Sequence, residues 1–258
     1  MNFSLLLVVV VVAGLLVGSF LTVVVDRVPG GSAVMAPPSA CGACGHRLGP
    51  LDLVPIVSWV VLGGRCRHCG TKIGIEPIVI ELATAAVFVV FAIEFGADAA
   101  LPAYCILGAV LVAQTWIDLH TQRLPREITY TGLVLGAIAL TIAALINDEP
   151  ERIWQMVSGA GIGLALMWTI YVASRGGMGD GDVRIAPLLG MYLGWLNPGL
   201  VPVGLFFGFL AGAIVGVAMM TRGTAGRRTA VPFGPFLALG TLAAILIGQS
   251  FIDWVIGR

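Results

Sequence analysis

Residues 3–25 read FSLLLVVVVVAGLLVGSFLTVVV, an unbroken apolar run that ends at Asp26-Arg27. A hydrocarbon core of roughly 30 Å is crossed by about 20 apolar residues in a helix, so this run is long enough to span. Comparable runs recur near 78–95, 100–117, 128–146, 155–174, 200–221 and 233–256, with a shorter one at 184–196. Of the 258 residues, 58% are hydrophobic and 11% charged, against about 25% charged in soluble domains. Mean hydropathy is +0.99. The expected fold is an all-α integral membrane protein of about eight transmembrane helices. Net charge is zero and no basic block occurs, so composition gives no reason to expect nucleic-acid binding.

The arginines set the topology. The first run has no positive segment before it and no small-residue cleavage site after it, so it reads as a retained anchor with its N-terminus outside. Segment 26–75 then carries Arg27, Arg47, Arg65, Arg67 and Lys72 on the cytoplasmic side. The same side receives Arg123 and Arg126, then Arg175 and Arg184, then Arg222, Arg227 and Arg228. Of the fourteen basic residues, all but Arg152 and Arg258 fall there. This asymmetry requires 184–196 to count as a span, because omitting it would send the 221–230 arginines outside. The chain divides into a first helix at 1–25, a cytoplasmic module at 26–75 and a membrane-embedded domain at 76–258.

The 26–75 module contains Cys41-Gly-Ala-Cys44-Gly and, after 21 intervening residues, Cys66-Arg-His-Cys69-Gly. Paired CxxC knuckles at this spacing point to a four-thiolate structural zinc site, with Cys41, Cys44, Cys66 and Cys69 as ligands. The glycine after each second cysteine suits a tight turn. Disulfides are the competing reading, and a reducing cytoplasmic setting disfavours them. His46 and His68 lie beside the knuckles as spare donors or solvated neighbours. Cys105 stands alone in an apolar span and reads as a buried, inert thiol.

Most of the fourteen acidic residues sit in loops or at span ends. Glu81 lies a turn inside the second span, where an intramembrane carboxylate is either functional or held by a structural hydrogen bond. Asp118 closes the third span in Trp116-Ile117-Asp118-Leu119, followed by Leu124-Pro125. Asp180 and Asp182 belong to the loop Gly176-Gly177-Met178-Gly179-Asp180-Gly181-Asp182-Val183-Arg184. Both clusters fall at the cytoplasmic rim. Two carboxylates converging at one depth can act as an aspartyl-protease pair, one activating water while its protonated partner polarises the scissile carbonyl. Glycines allow close backbone approach, so an extended substrate could lie against the loop. An ordinary Gly/Asp turn is the alternative reading of such a short motif.

Taken together, the chain resembles the type IV prepilin peptidases. The resemblance rests on Gly18-Ser19-Phe20-Leu21 with Arg27-Val28-Pro29, on the two knuckles separated by Pro55-Ile56-Val57-Ser58-Trp59, and on Glu76-Pro77-Ile78-Val79-Ile80-Glu81-Leu82. It continues through Ile117-Asp118-Leu119, Leu124-Pro125, the Gly177-to-Arg184 loop and Pro232-Phe233-Gly234-Pro235-Phe236. It implies a two-aspartate enzyme of the bacterial inner membrane that removes the basic leader of a prepilin or pseudopilin after a glycine. It also implies N-methylation of the new terminal residue with S-adenosylmethionine as donor, although no glycine-rich fold for that donor is visible. Asp118 matches the first family aspartate and Asp182 best matches the second; a register two residues earlier would nominate Asp180. Arg184 replaces the usual lysine, Arg126 the usual Asp or Asn, and Glu76 a common aromatic. Competing classes are a protease cutting within transmembrane helices, a zinc-organised scaffold without activity, and a transporter. The sequence gives no oligomeric state.

Overall fold

The computed structural model describes residues 2–175, 177–223 and 231–257. Gly176, Arg227, Arg228 and Arg258, which entered the loop and topology readings, lie outside the described residues. Those described are helical and linking segments without strands; α1 spans Phe3–Arg27, α2 Val57–Val61, α3 Glu76–Phe95, α4 Leu101–Thr121 and α5 Arg126–Ile146. Then follow α6 Glu151–Ser174, α7 Asp180–Leu196, α8 Leu200–Thr221 and α9 Gly234–Ile256. Seven of these, all but α2 and α7, are long and apolar enough to cross a membrane. The segment expected at 184–196 is helical too, but the helix begins at Asp180. Its 17 residues rise about 26 Å. The chain forms two units, Met1–Trp116 and Ile117–Arg258, so that α4 starts in the first and ends in the second.

In the first unit α1 and α3 pack backbone to backbone. A Cβ on Gly14 would lie 2.6 Å from Ala85 Cα, and one on Gly18 would lie 2.6 Å from Glu81 Cα. The spacing Gly14-x-x-x-Gly18 puts both glycines on one helix face, a pattern that lets helices approach closely in lipid. The 28–75 segment between them is irregular, with the short α2 and two isolated antiparallel bridges, Ala40↔Arg47 and Arg65↔Lys72. Near the start of α4, Tyr104 is fully buried and meets Phe91 edge-on at 5.6 Å and stacks on Phe95 at 4.1 Å.

In the second unit α7 is buried along nearly its whole length, from Asp182 to Trp195. α6 meets it through glycines: a Cβ on Gly163 would sit 2.6 Å from Ala186 O, and one on Gly194 2.6 Å from Gly159 Cα. α8 and α9 approach through Gly208 and Gly240, where a Cβ on Gly240 would come 2.8 Å from Gly208 Cα. The outward faces of the other helices carry exposed large apolar side chains such as Val8, Leu16, Val134, Trp168, Ile214 and Ile247. On a water-soluble protein so much exposed apolar surface would drive association; in a bilayer it faces acyl chains.

Substituting leucine at Gly163 or Gly194 is expected to force α6 from α7 at a cost of about 1–3 kcal/mol, in the range of overpacked cores. Thermal-shift measurements in detergent should show a lower midpoint for either variant. Leucine at Gly161, where an added Cβ meets nothing within 4 Å, should leave the midpoint near wild type.

Candidate functional site

Asp118 lies in the last turn of α4 with 5% of its surface exposed. Its Oδ2 accepts the backbone N–H of Gly234 at 2.7 Å. Gly234 is the first residue of α9, and N–H groups in a helix's first turn have no partner within the helix and sit at the positive end of its dipole. A carboxylate is therefore a natural acceptor. A side chain at Gly234 would collide with it, since a Cβ there would stand 2.9 Å from Asp118 Oδ2 and 2.9 Å from Leu124 Cδ2.

Asp180 and Asp182 are not in a loop. They occupy the first turn of α7, with extended Gly179 as its N-cap. Carboxylates are favoured at this position by the same dipole, which accounts for the helix starting earlier than hydropathy places it. The two aspartates differ in environment. Asp180 points to solvent and pairs with Arg184 one turn on. Asp182 is buried, 8% exposed, and reaches back to the backbone of Gly179. Leu124 adjoins both sides of the site: its Cβ stands 3.0 Å from where a Cβ on Gly181 would be. Asp118, Asp182, Leu124 and Gly234 thus converge from four segments of the second unit. Gly234 is the partner that sequence reasoning missed; the signal available was a glycine between Phe233 and Pro235 at a helix start.

The four cysteines of the first unit also converge. The Sγ atoms of Cys41, Cys44, Cys66 and Cys69 all lie within 4.8 Å of one another. Cys41 Sγ is 3.8 Å from Cys69 Sγ. A tetrahedral site with metal–sulfur bonds of about 2.3 Å requires sulfur–sulfur edges of about 3.8 Å, so the cluster fits a four-thiolate metal centre. Gly45 and Gly70 both take the left-handed conformation, at φ +69° and +70°, and close the knuckle turns. The backbone at Cys44 and Ala43 hydrogen-bonds to Cys41 and lowers its pKa. Cys69 is lowered to about 6, chiefly by the hydroxyl and then the backbone of Thr71. Both effects favour the thiolate, the form that binds metal; at Cys44 a lowering hydrogen bond from the His46 backbone is outweighed by desolvation and by the neighbouring Cys69 and Cys41, which push that thiol up to about 11. His46 and His68 stack on each other at 4.4 Å beside the cluster.

Two further contacts hold the module. Arg67 Nε pairs with Asp52 Oδ1 at 2.8 Å, which holds the Asp52 carboxyl below its ordinary range. Glu81, buried on α3, accepts the N–H of Ile56 through Oε2 at 2.8 Å. Ile56 has φ +58° and ψ −51°, which is unfavourable for a β-branched residue by about 1–3 kcal/mol. The hydrogen bond expected of Glu81 is present, and it secures a strained turn.

The bacterial peptidase A24 N-terminal domain matches residues 12–95, and the type IV leader peptidase family matches residues 105–217. The chain belongs to the type IV leader peptidase family. It is 33% identical to a prepilin leader peptidase/N-methyltransferase of Pseudomonas aeruginosa, over 93% of this chain and 90% of the relative. Proteins of the same name in Bacillus subtilis and Burkholderia pseudomallei are 30% and 34% identical, covering 94% and 93% of this chain and 95% and 85% of the relatives. No solved structure gives a significant match. Membership in this peptidase family, with seven candidate spans, makes the protein a multi-pass membrane enzyme.

Replacing the buried Cys66 with serine removes one of the four thiols that could hold a metal ion. Elemental analysis of the purified protein should then show bound metal falling from about one ion per chain to near none. Serine at Cys105, outside the cluster, should leave the metal content unchanged.

Proposed function

We propose that the chain is a two-aspartate endopeptidase that removes the leader of a prepilin or pseudopilin, with Asp118 and Asp182 as the catalytic pair. The observation that carries this reading is the burial of two carboxylates, from segments 64 residues apart, in helix ends that both pack against Leu124. Close like charges do not both ionise readily, so the pair holds one proton between them. The ionised aspartate takes a proton from water as the water oxygen attacks the scissile carbonyl carbon. The protonated partner hydrogen-bonds the carbonyl oxygen and stabilises the tetrahedral intermediate. Collapse breaks the carbon–nitrogen bond, and the departing amine receives a proton from the pair. The Gly234 N–H fixes one oxygen of Asp118 during this cycle. Asp180, exposed and paired with Arg184, is a first-turn neighbour favoured by the helix dipole rather than the second catalyst.

The arginine distribution supports a multi-pass inner-membrane protein with its N-terminus outside and the aspartates at the cytoplasmic face. The leader removed is basic and ends at a glycine, by resemblance to the family. Cys41, Cys44, Cys66 and Cys69 hold a structural zinc, which stabilises a module with little apolar core of its own. The relatives' names pair peptidase with N-methyltransferase, which supports a second step at the amine that cleavage exposes. S-adenosylmethionine supplies an electrophilic methyl group to that amine when bound.

A cleavage assay in membranes with a prepilin carrying a basic leader tests the pair. Asp118→Asn and Asp182→Asn are each expected to lose at least about a hundredfold in rate, in line with removal of a general acid or base. Asp180→Asn should stay within a fewfold of wild type. Cleavage persisting in both of the first two variants would overturn the mechanism, and loss in Asp180→Asn alone would move the second role to that residue.

A further inference from the structure

The short helix α2 and the turn before it read Leu53-Val54-Pro55-Ile56-Val57-Ser58-Trp59-Val60-Val61-Leu62, ten residues without a charge. Val57, Val60 and Val61 fall at i, i+3 and i+4 on one helix face, and they are 57%, 62% and 73% exposed. Leu51, Leu53 and Val54 are exposed just ahead of them. Trp59 turns the other way. Its ring lines a cavity with Glu81, Ser19 and Thr22, where α1, α3 and the module meet, and its Nε1–H donates to Gly74 O at 3.2 Å. One side of α2 is thus packed inward while the other presents a contiguous apolar patch, the mark of an interaction surface.

Two hydrogen bonds fix the level at which α2 lies. The Trp59 bond ties it to Gly74, two residues before α3. The Ile56 N–H, at the start of α2, donates to Glu81 Oε2 at 2.8 Å, and Glu81 stands five residues into α3, about 7.5 Å along its axis. The 20 residues of α3 rise about 30 Å, the thickness of a hydrocarbon core, so little of that helix is left over outside the bilayer. The start of α2 is therefore held beside the outermost turns of a membrane span. At this level α3 itself shows Val79 and Leu82 to the outside. Helices that lie in a bilayer surface bury their apolar face about 5–10 Å into the boundary between headgroups and acyl chains, the same range.

We propose that α2, with Leu51, Leu53 and Val54, is an interfacial anchor whose valine face lies among the upper acyl groups of the leaflet where α3 begins. Lipid is the partner because the bonds to Glu81 and Gly74 place the patch where the bilayer already is. Cys66 follows α2 by five residues, so the anchor holds the cysteine cluster at a set height over the leaflet. Only the membrane placement of α3 is required, and the aspartate pair has no part in it.

The test uses full-length, metal-replete wild-type protein in nanodiscs of phosphatidylethanolamine and phosphatidylglycerol. One of two photoreactive phosphatidylcholines is added, with a diazirine either beside the acyl carbonyl or near the terminal methyl, and adducts are mapped by mass spectrometry. The shallow probe should label residues 51–61 at least about fivefold more than the deep one, as a helix in the interface requires. Val8 and Leu16 on the outer face of α1 are the reference for lipid contact. Val60→Asp combined with Val61→Asp should keep the metal and lose at least about fivefold of the shallow labelling, since the apolar face is what inserts. Labelling of α1 with none in 51–61 would overturn the proposal and leave the patch to a second copy or a peptide. Deep labelling of 51–61 equal to that of α1, or shallow labelling unchanged in the double variant, would overturn it too. If the double variant loses its metal, the wild-type pattern decides.

Discussion

Leucine packed against leucine gains little when the alternative is an acyl chain, so a helix in lipid needs another reason to stay beside its neighbour. Here the reason is close backbone approach, which multiplies dispersion contacts wherever a side chain is missing. Gly14 and Gly18 set α3 against α1, while Gly159, Gly163, Gly190 and Gly194 do the same between α6 and α7. Gly204, Gly208 and Gly240 serve α8 and α9. The positions of the helix ends follow from these contacts, and the proposed catalytic carboxylates sit at helix ends. Adding one Cβ therefore reaches further than its volume implies.

The second unit shows how this framework presents carboxylates. Asp118 ends one helix, Asp182 begins another, and the first N–H of a third is aimed at Asp118. Helix termini bring unpaired N–H groups and a favourable dipole to the same depth as the acids, so both can be buried with no cation paired to them among the described residues. Leu124 and the absence of side chains at Gly181 and Gly234 leave room for this convergence. Asp180, two residues from Asp182, has the opposite environment because successive positions on a helix face different directions.

The first unit solves a different problem. A segment of nearly fifty residues between α1 and α3 has almost no regular structure, and the four-cysteine cluster, the Asp52–Arg67 pair and the Glu81–Ile56 hydrogen bond fix it. Glu81 is on the membrane helix and Ile56 in the module, so one hydrogen bond joins a greasy element to a polar one. Gly18, whose missing side chain admits Glu81's backbone, belongs to the same arrangement.

Apolar run length determined the helical membrane class, because spanning a hydrocarbon layer demands about 20 apolar residues whatever the tertiary fold. Cysteine spacing determined the four-thiolate cluster, since a knuckle is a local structure that six residues specify. The candidate aspartates were legible because ionisable groups are few in such a chain and each needs a reason to be there. Packing decided the rest. Sequence favoured Asp182 over Asp180 only through the register of the family resemblance, and their environments became distinct only when α7 was buried on one side and open on the other. Gly234 could be read from sequence as a helix-start glycine, but its pairing with Asp118 could not, since its backbone N–H carries no side-chain signature and acts across 116 positions. The cavity at Glu81 is likewise a product of tertiary structure, formed where α1, α3 and the module meet and encoded by no contiguous stretch of residues.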